Sequence, residues 1–482
     1  VLPPPAKHRF MSCPPYRMAA LFACLCASGF ANAKTLPASP KEWLDADEQP
    51  CFLIQDIHWH AGQDKVPTFL AGSVALTPNG QRDEPQGRCL GANGIQQLID
   101  RAQNALIHHG FVTSRVLAGP QNLQNGVLEL EVLMGKVQSL AWASSDESTP
   151  RRAQFWNTVP IQKNEVLNLR DIEQGLENFK RVPTADADIE VLPGEEAGQS
   201  VLSVRHSQTQ LLRFNLNIDD AGTPSTGKLQ ASATLSADNW LTLSDLMYVT
   251  LQQDVGGDKD PGSRGTRGQT WHYSLPLGYQ TLAFNHSRST YFQTVAGLNQ
   301  DYVYAGSSEN SDIKLSRVMH RDASSKTSLG IQAFQRKSNN FIDGSELEVQ
   351  KRVVGGWVWD IAHKQSLGKA SVDTSLAYKK GTGDFGALAA PEEAFGEGTS
   401  RMRIWTSDTQ LMVPFALAEQ PLTYSLNARV QWNQTRLTPQ DRFSIGGRYT
   451  VRGFDGINSL TGDRGWLLRQ EIQTPLGSEH KL

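Results

Sequence analysis

The chain has 482 residues, enough for two or three domains. Lysine and arginine number 46 against 49 aspartates and glutamates, a net charge of −3, which argues against nucleic-acid binding. After residue 33 no segment approaches the roughly 18 apolar residues of a membrane helix; this excludes helical spans and leaves open a membrane barrel, whose alternating strands barely raise the average hydropathy.

Residues 11–17 form a short basic start, residues 18–27 are apolar, and Ala31-Asn32-Ala33 fits small-x-small cleavage. Residues 1–33 are therefore read as upstream residues and a signal peptide, with Lys34 opening the mature chain. Removing Lys7, Arg9 and Arg17 with it takes the net charge from −3 to −6. A lipoprotein site at Cys24 is the weaker reading, because Phe22 is bulky where a small residue is wanted. Of five cysteines, Cys51 and Cys89 remain. Outside the cytoplasm such a pair reads as a disulfide, the alternative being two buried thiols. No metal site is predicted: CxxC and HxxxH spacings are absent, and His58, His60, His108 and His109 lack a third ligand.

Residues 34–50 are polar and contain prolines, a linker with room for a short helix at residues 39–47 and not for a full pore plug. Residues 51–135 make a first domain. Residues 52–60 are strand-like. Ile95, Leu98, Ile99, Ala102 and Leu106 lie on one helical face that stops at Gly110. Residues 112–116 and 127–132 follow as strands, with Leu128, Leu130 and Val132 inward and Glu129 and Glu131 outward.

Residues 136–207 repeat the pattern. Residues 137–143 form a strand. Leu169, Ile172, Leu176 and Phe179 form a helix face capped by Asn168, and Pro183 ends it. Residues 189–192 and 201–204 are strands. Two strand–helix–strand–strand units read as small α+β repeats. They resemble polypeptide-transport-associated (POTRA) domains, and the runs Gly87-Arg88-Cys89-Leu90-Gly91, Gly110-Phe111-Val112-Thr113-Ser114-Arg115 and Pro120-Gln121-Asn122-Leu123 carry the resemblance for the first.

From residue 208 to 482 the character changes to alternation. Leu212, Phe214, Leu216 and Ile218 alternate with polar residues, as do Leu229, Ala231, Ala233 and Leu235, then Trp271, Tyr273 and Leu275. Leu422, Tyr424, Leu426, Ala428, Val430 and Trp432 form the cleanest run. One apolar face over about 9–11 residues suits a tilted membrane strand, and a polar opposite face suits a lumen. A soluble sandwich with one wet face gives the same pattern. The signal peptide, strand length and terminal aromatics favour the membrane, where backbone satisfaction demands a closed antiparallel β-barrel.

Residues 434–465 interrupt the alternation with a long glycine-rich loop. Phe443, Gly446 and Gly447, followed by Val451, Arg452, Gly453 and Phe454, resemble the Phe-x-x-Gly-Gly and Val-Arg-Gly-Phe signature of two-partner secretion outer-membrane transporters (the TpsB family, haemolysin activator/secretion type). The resemblance implies that this loop folds back into the lumen of a sixteen-stranded barrel between strands eleven and twelve. About eleven strand-like runs precede it here and one follows, so the chain is expected to stop about four strands short. In the family the loop arginine pairs with an aspartate on a later inner strand. That partner for Arg452 is not in this sequence, and Asp455 and Asp463 lie in the loop itself.

No enzyme constellation stands out: GxSxG, HExxH and P-loop patterns are absent, and no cofactor or nucleotide is implied. The resemblance implies a Gram-negative outer-membrane transporter in contact with lipid. Its periplasmic POTRA-like domains would bind a secreted, unfolded exoprotein and pass it through the barrel, with or without activating it. Strand addition at an exposed edge is one mode of capture, with residues 112–116 and 201–204 as expected edges. The alternatives are an assembly factor (insertase) of the same superfamily, or a passive porin.

Overall fold

Short strands around one helix build the first module. In this structure, a computed structural model, the described residues are 43–44, 48–143, 153–256, 263–418, 420–447, 449–454, 456 and 458–475. The signal peptide, most of the linker with its short helix, and Asp455 lie outside them. Strand β1 (Phe52–Ile54) pairs antiparallel with β3 (Arg88–Leu90), while β2 (Asp56–His60) runs parallel to β5 (Val127–Leu133). Strand β4 (Arg115–Leu117) lies on the other side of β5. Cys51 and Cys89 are joined in a disulfide with Cα atoms 5.2 Å apart.

The helix Ala92–His108 buries Leu98, Ala102 and Leu106 completely. Its exposed backbone donors are met from outside the helix: the Glu48 carboxylate accepts from the N–H groups of Gly91, Asn93 and Gly94 at 3.1, 2.6 and 2.9 Å. Those bonds, that from Asn93 foremost, hold the carboxyl below its ordinary pKa, as an anion at a helix N-terminus should be. Beneath, the buried Asp83 binds Arg101 at 2.6 Å and Arg88 at 2.8 Å. A buried carboxylate flanked by two guanidinium groups is compensated rather than stranded.

The second module places β6 (Lys136–Trp142), β7 (Ala185–Pro193) and β8 (Gln199–Gln208) in the order β6-β8-β7. Its helix Leu169–Phe179 starts where the Asn168 side chain accepts from Arg170 N–H. Val137, Leu167, Phe179 and Leu202 are fully buried around it, and Trp142 stacks on Phe155 at 4.1 Å.

The expectation of an exposed edge at residues 201–204 is overturned. They lie in β8, the central strand, paired with β6 on one side and β7 on the other. A short apolar run reads alike at an edge and at a centre, because sheet order is set by tertiary pairing. The edges of this sheet are β6, whose start is covered by residues 164–166, and β7. The strand expected at residues 112–116 is also shifted: β4 covers Arg115–Leu117, and residues 112–113 turn after the helix.

From residue 212 the alternation becomes one antiparallel sheet. Its long strands are β9 (Leu212–Asp219), β10 (Gln230–Asp238), β11 (Leu246–Asp254), β12 (Arg264–Leu277), β13 (Gln280–Ala296), β14 (Asp301–Arg321), β15 (Ser325–Ile342), β17 (Arg352–Leu367), β18 (Ala370–Thr382), β19 (Arg403–Leu417), β20 (Gln420–Asn433) and β23 (Gly465–Gln473). The two-residue β16 (Ser345–Glu346) folds onto β15, and β21 (Phe443–Ile445) and β22 (Leu460–Gly462) form a separate hairpin. Neighbours in sequence are neighbours in the sheet, the meander of an up-and-down barrel wall; among the described residues β9 and β23 are not paired. Turns at the end nearest residue 208 are short, as at Gly278–Tyr279, whereas connections at the far end run to residues 383–402 and 434–464.

Register sorts the two faces. Trp359, Tyr378, Trp405 and Trp432 lie opposite one another on four successive strands, with ring centroids 5.9, 4.7 and 5.9 Å apart. This ladder shares the outer face with exposed apolar residues such as Ile331 and Ile361, the aromatic girdle and apolar band of a membrane barrel. The inner face carries polar and charged groups, including a Lys314–Asp360 pair at 2.7 Å. Gly330 lies beside it, and the Asp360 carboxylate occupies the space a side chain at that position would take.

Candidate functional site

The loop between β20 and β23 lies against the inner face. Its first part is a 3₁₀ turn, Pro439–Asp441, after which Phe443–Ile445 pairs with Leu460–Gly462. The Phe443 ring occupies the space beside Gly465, where any Cβ would collide with it. Gly446 turns the chain at φ +104° and Gly453 at φ +86°, conformations that L residues with a Cβ rarely adopt. Between them, the Thr450 hydroxyl accepts from the N–H groups of Gly446 and Gly447 at 3.0 and 2.9 Å.

Arg452 has a wall partner that sequence reasoning did not find. Its guanidinium meets Glu471 Oε1 at 2.9 Å, on the inner face of β23, directly after the loop. Arg469 flanks the same carboxylate at 3.7 Å and donates to Tyr449 O at 3.4 Å. Arg452 is 83% exposed and Glu471 17%, so this contact is solvent-screened on the arginine side. The signal was the parity of β23: with Trp466 and Leu468 outward, Arg469 and Glu471 point inward. Near the tip lies a cleft of ≈ 550 Å³ lined by charges of both signs, among them Lys326, Asp373, Asp408 and Arg429.

At the opposite end the second module is fastened to the short turns by polar contacts, mostly half-buried. Asn157 donates to Leu243 O at 2.7 Å and Pro276 O at 3.2 Å. Asn178 donates to Thr158 O at 2.7 Å and Gly278 O at 2.8 Å. Arg181 reaches Ser244 O and Ser274 O at 3.1 and 2.9 Å. Glu177 binds Lys326 at 2.6 Å and Arg321 at 2.7 Å. Burial works to raise the Glu177 carboxyl, but the two cations outweigh it and its pKa falls below the ordinary value. Asp171 goes the other way: burial dominates the lowering effect of the 2.6 Å hydrogen bond from Tyr279 OH, and its pKa is raised. Asp171, Glu177 and Asn178 occupy the polar face of the helix whose apolar face was legible in sequence.

Among the described residues no group of three or more His, Cys, Asp or Glu could hold a metal ion. Two small α+β modules, an antiparallel membrane sheet and an inward-folded glycine-rich loop together make the architecture of an outer-membrane transporter. Residues 198–482 match the family model for haemolysin secretion/activation protein ShlB/FhaC/HecB, and residues 72–135 and 140–193 match POTRA domains, the first of ShlB type. The chain belongs to the ShlB/FhaC/HecB family. It is 34% identical over 396 residues to outer membrane transporter CdiB-2 of Burkholderia pseudomallei (strain 1026b), covering 81% of this chain and 66% of that protein. It is 25% identical to hemolysin transporter protein HpmB of Proteus mirabilis, over 93% of this chain and 76% of HpmB. The structure resembles CdiB from Escherichia coli with a TM-score of 0.80 at 25% identity, covering 93% of this chain and 79% of that one. CdiB from Acinetobacter baumannii gives 0.77 at 28% identity, covering 95% and 83%. The chain is an outer-membrane protein of the Gram-negative type, with its POTRA domains on the periplasmic side.

Proposed function

We propose that this protein exports a large secreted partner, of haemolysin, adhesin or contact-dependent-toxin type, by two-partner secretion. The observation that carries the reading is the loop of Phe443, Gly446, Gly447, Val451, Arg452, Gly453 and Phe454, seated on the inner wall with its tip held, among the described residues, by the screened Arg452–Glu471 ion pair and a 3.4 Å hydrogen bond from Arg469 to Tyr449 O. A loop held this way obstructs the lumen at rest and is displaced at small energetic cost. The POTRA domains, taken as residues 51–135 and 136–207, capture the unfolded partner before it enters the barrel of residues 208–482. The Cys51–Cys89 bridge stiffens the first of them. The β7 edge, Ala185–Pro193, offers unpaired backbone for strand addition. With no nucleotide motif, direction comes from folding of the partner outside.

The test is deletion of the gene, followed by comparison of secreted, periplasmic and outer-membrane proteins. Loss of one large exoprotein from the medium, with trapped forms in the periplasm, supports dedicated export. A general fall in barrel proteins with slowed growth supports the insertase reading instead.

A further inference from the structure

The loop is held at two places of different character. At its tip Tyr449, Arg452 and Phe454 are exposed, and the charged tether is Arg452–Glu471. At its root the holding group is Asp441, whose side chain is 2% exposed. Its carboxylate binds Arg336 on β15 at 2.8 Å and Lys379 on β18 at 3.0 Å. The Thr438 hydroxyl donates to it at 3.2 Å. The Lys379 ammonium also lies 4.8 Å from the centre of the Phe334 ring. Two amides repeat the attachment: Gln431 on β20 donates to Asp441 O at 2.9 Å, and Gln440 donates to Ser338 Oγ at 2.8 Å. Leu437 completes the root by burying itself against Val354, Met402 and Ile404. A second aspartate, Asp463, closes the returning limb through Arg442 at 3.2 Å and Leu437 N–H at 3.3 Å.

We infer that Asp441 is a positioning residue that clamps the root of the loop to the barrel wall, so that gating movements are confined to the tip beyond Gly446. The clamp draws on three separate strands, so releasing the root requires parting a buried carboxylate from two cations at once. Among the described residues, parting the tip requires breaking the solvent-screened Arg452–Glu471 pair and the long Arg469–Tyr449 O bond. Removing one member of a buried charge cluster leaves the others uncompensated, a larger loss than removing an exposed pair. The left-handed glycines Gly446 and Gly453 lie within the tip, where the chain has backbone freedom to swing. The inference rests on the loop's role in the proposed transport, and it identifies which part of the loop stays still.

The experiment is single-channel recording of the purified protein in planar lipid bilayers, with no exported partner present. The variants are Asp441→Asn, Asp441→Glu and Gln440→Ala, each checked for heat-modifiable migration as a folded barrel. Asp441→Asn is expected to raise the frequency of transitions out of the resting conductance about tenfold, with Asp441→Glu returning it to within about twofold of the parent. Gln440→Ala, which strands no charge, is expected to raise it by about two- to threefold, and it carries the test if Asp441→Asn does not assemble. A folded Asp441→Asn barrel with the parent's resting trace would overturn the clamp, as would Gln440→Ala behaving as parent when Asp441→Asn fails to fold. Because no partner is needed, failure here is distinct from failure of the export reading, which the gene deletion decides.

Discussion

Replacing Arg452 by Ala removes the tip's charged tether, and the structure sets how much that should matter. The pair is close, at 2.9 Å, but the arginine is 83% exposed. A charge pair at such a site contributes about 0.2–1 kcal/mol after screening. That corresponds to at most about a fivefold shift toward the unseated tip. The assay places a cysteine at Tyr449, itself exposed, and follows labelling in intact cells by a membrane-impermeant maleimide. Arg452→Ala should speed labelling by up to about fivefold and reduce export, while heat-modifiable barrel assembly is retained. Glu471→Gln should reproduce the change, and the double variant should add little, because both remove one interaction. Unchanged labelling and export would refute the tether. Acceleration on the order of a hundredfold would also refute the reasoning, because it would make this pair the principal restraint and leave nothing for the root to hold.

Three further outcomes follow from the periplasmic side. Asn178→Ala removes donors to Thr158 O and Gly278 O and an acceptor for Gln174, the first and last buried and the second half-buried; opening free energies from hydrogen exchange at residues 155–160 and 278–279 should fall by about 2–3 kcal/mol, and unchanged exchange would count against the seam. Glu177 has a lowered pKa, so its contribution is present above the ordinary carboxylate pKa and lost as pH falls through the depressed value, whereas the raised pKa of Asp171 makes its contribution complete at low pH and lost as pH rises through that value. Acidification through the depressed carboxylate pKa should therefore loosen the Glu177 contacts, and Glu177→Gln should flatten the acid limb of a protease-susceptibility profile; a profile identical to the parent's would remove Glu177 from the account. Cys51→Ser opens a bridge between residues 38 apart, worth about 3–4 kcal/mol in the chain-entropy model. The first POTRA domain should then become protease-sensitive at lower denaturant, and equal resistance would show that its core suffices alone.

Local pattern was legible in the sequence and long-range pairing was not. The run ending at Trp432 alternates as a membrane strand should, and Trp432 stacks on Trp405 on the outer face. Leu169 to Phe179 announced a helix with its cap, and the Asn168 side chain takes that role. The error at residues 201–204 came from asking a strand's composition to report its place in a sheet. Asp441 was passed over because nothing local distinguishes a surface carboxylate from one that meets cations contributed by other strands. Its meaning depends on Arg336 and Lys379, separated from it by 105 and 62 residues, whereas Glu471 could have been found from the alternation of β23.

The aromatic ladder and the loop root share the same stretch of wall. Tyr378 and Lys379 are consecutive, as are Ile404 and Trp405, and Trp432 and Asn433, with one member of each pair turned outward and the other inward. Indole and phenol rings settle at the level of the lipid headgroups. The proposed clamp therefore sits at the depth of this girdle, with a single thickness of backbone between it and the outer face. A bilayer too thick or too thin for the apolar band would press on those four strands first, and through them on the seat of Asp441. Under the proposed clamp, membrane thickness becomes a mechanical input to the loop root, transmitted through the wall strands.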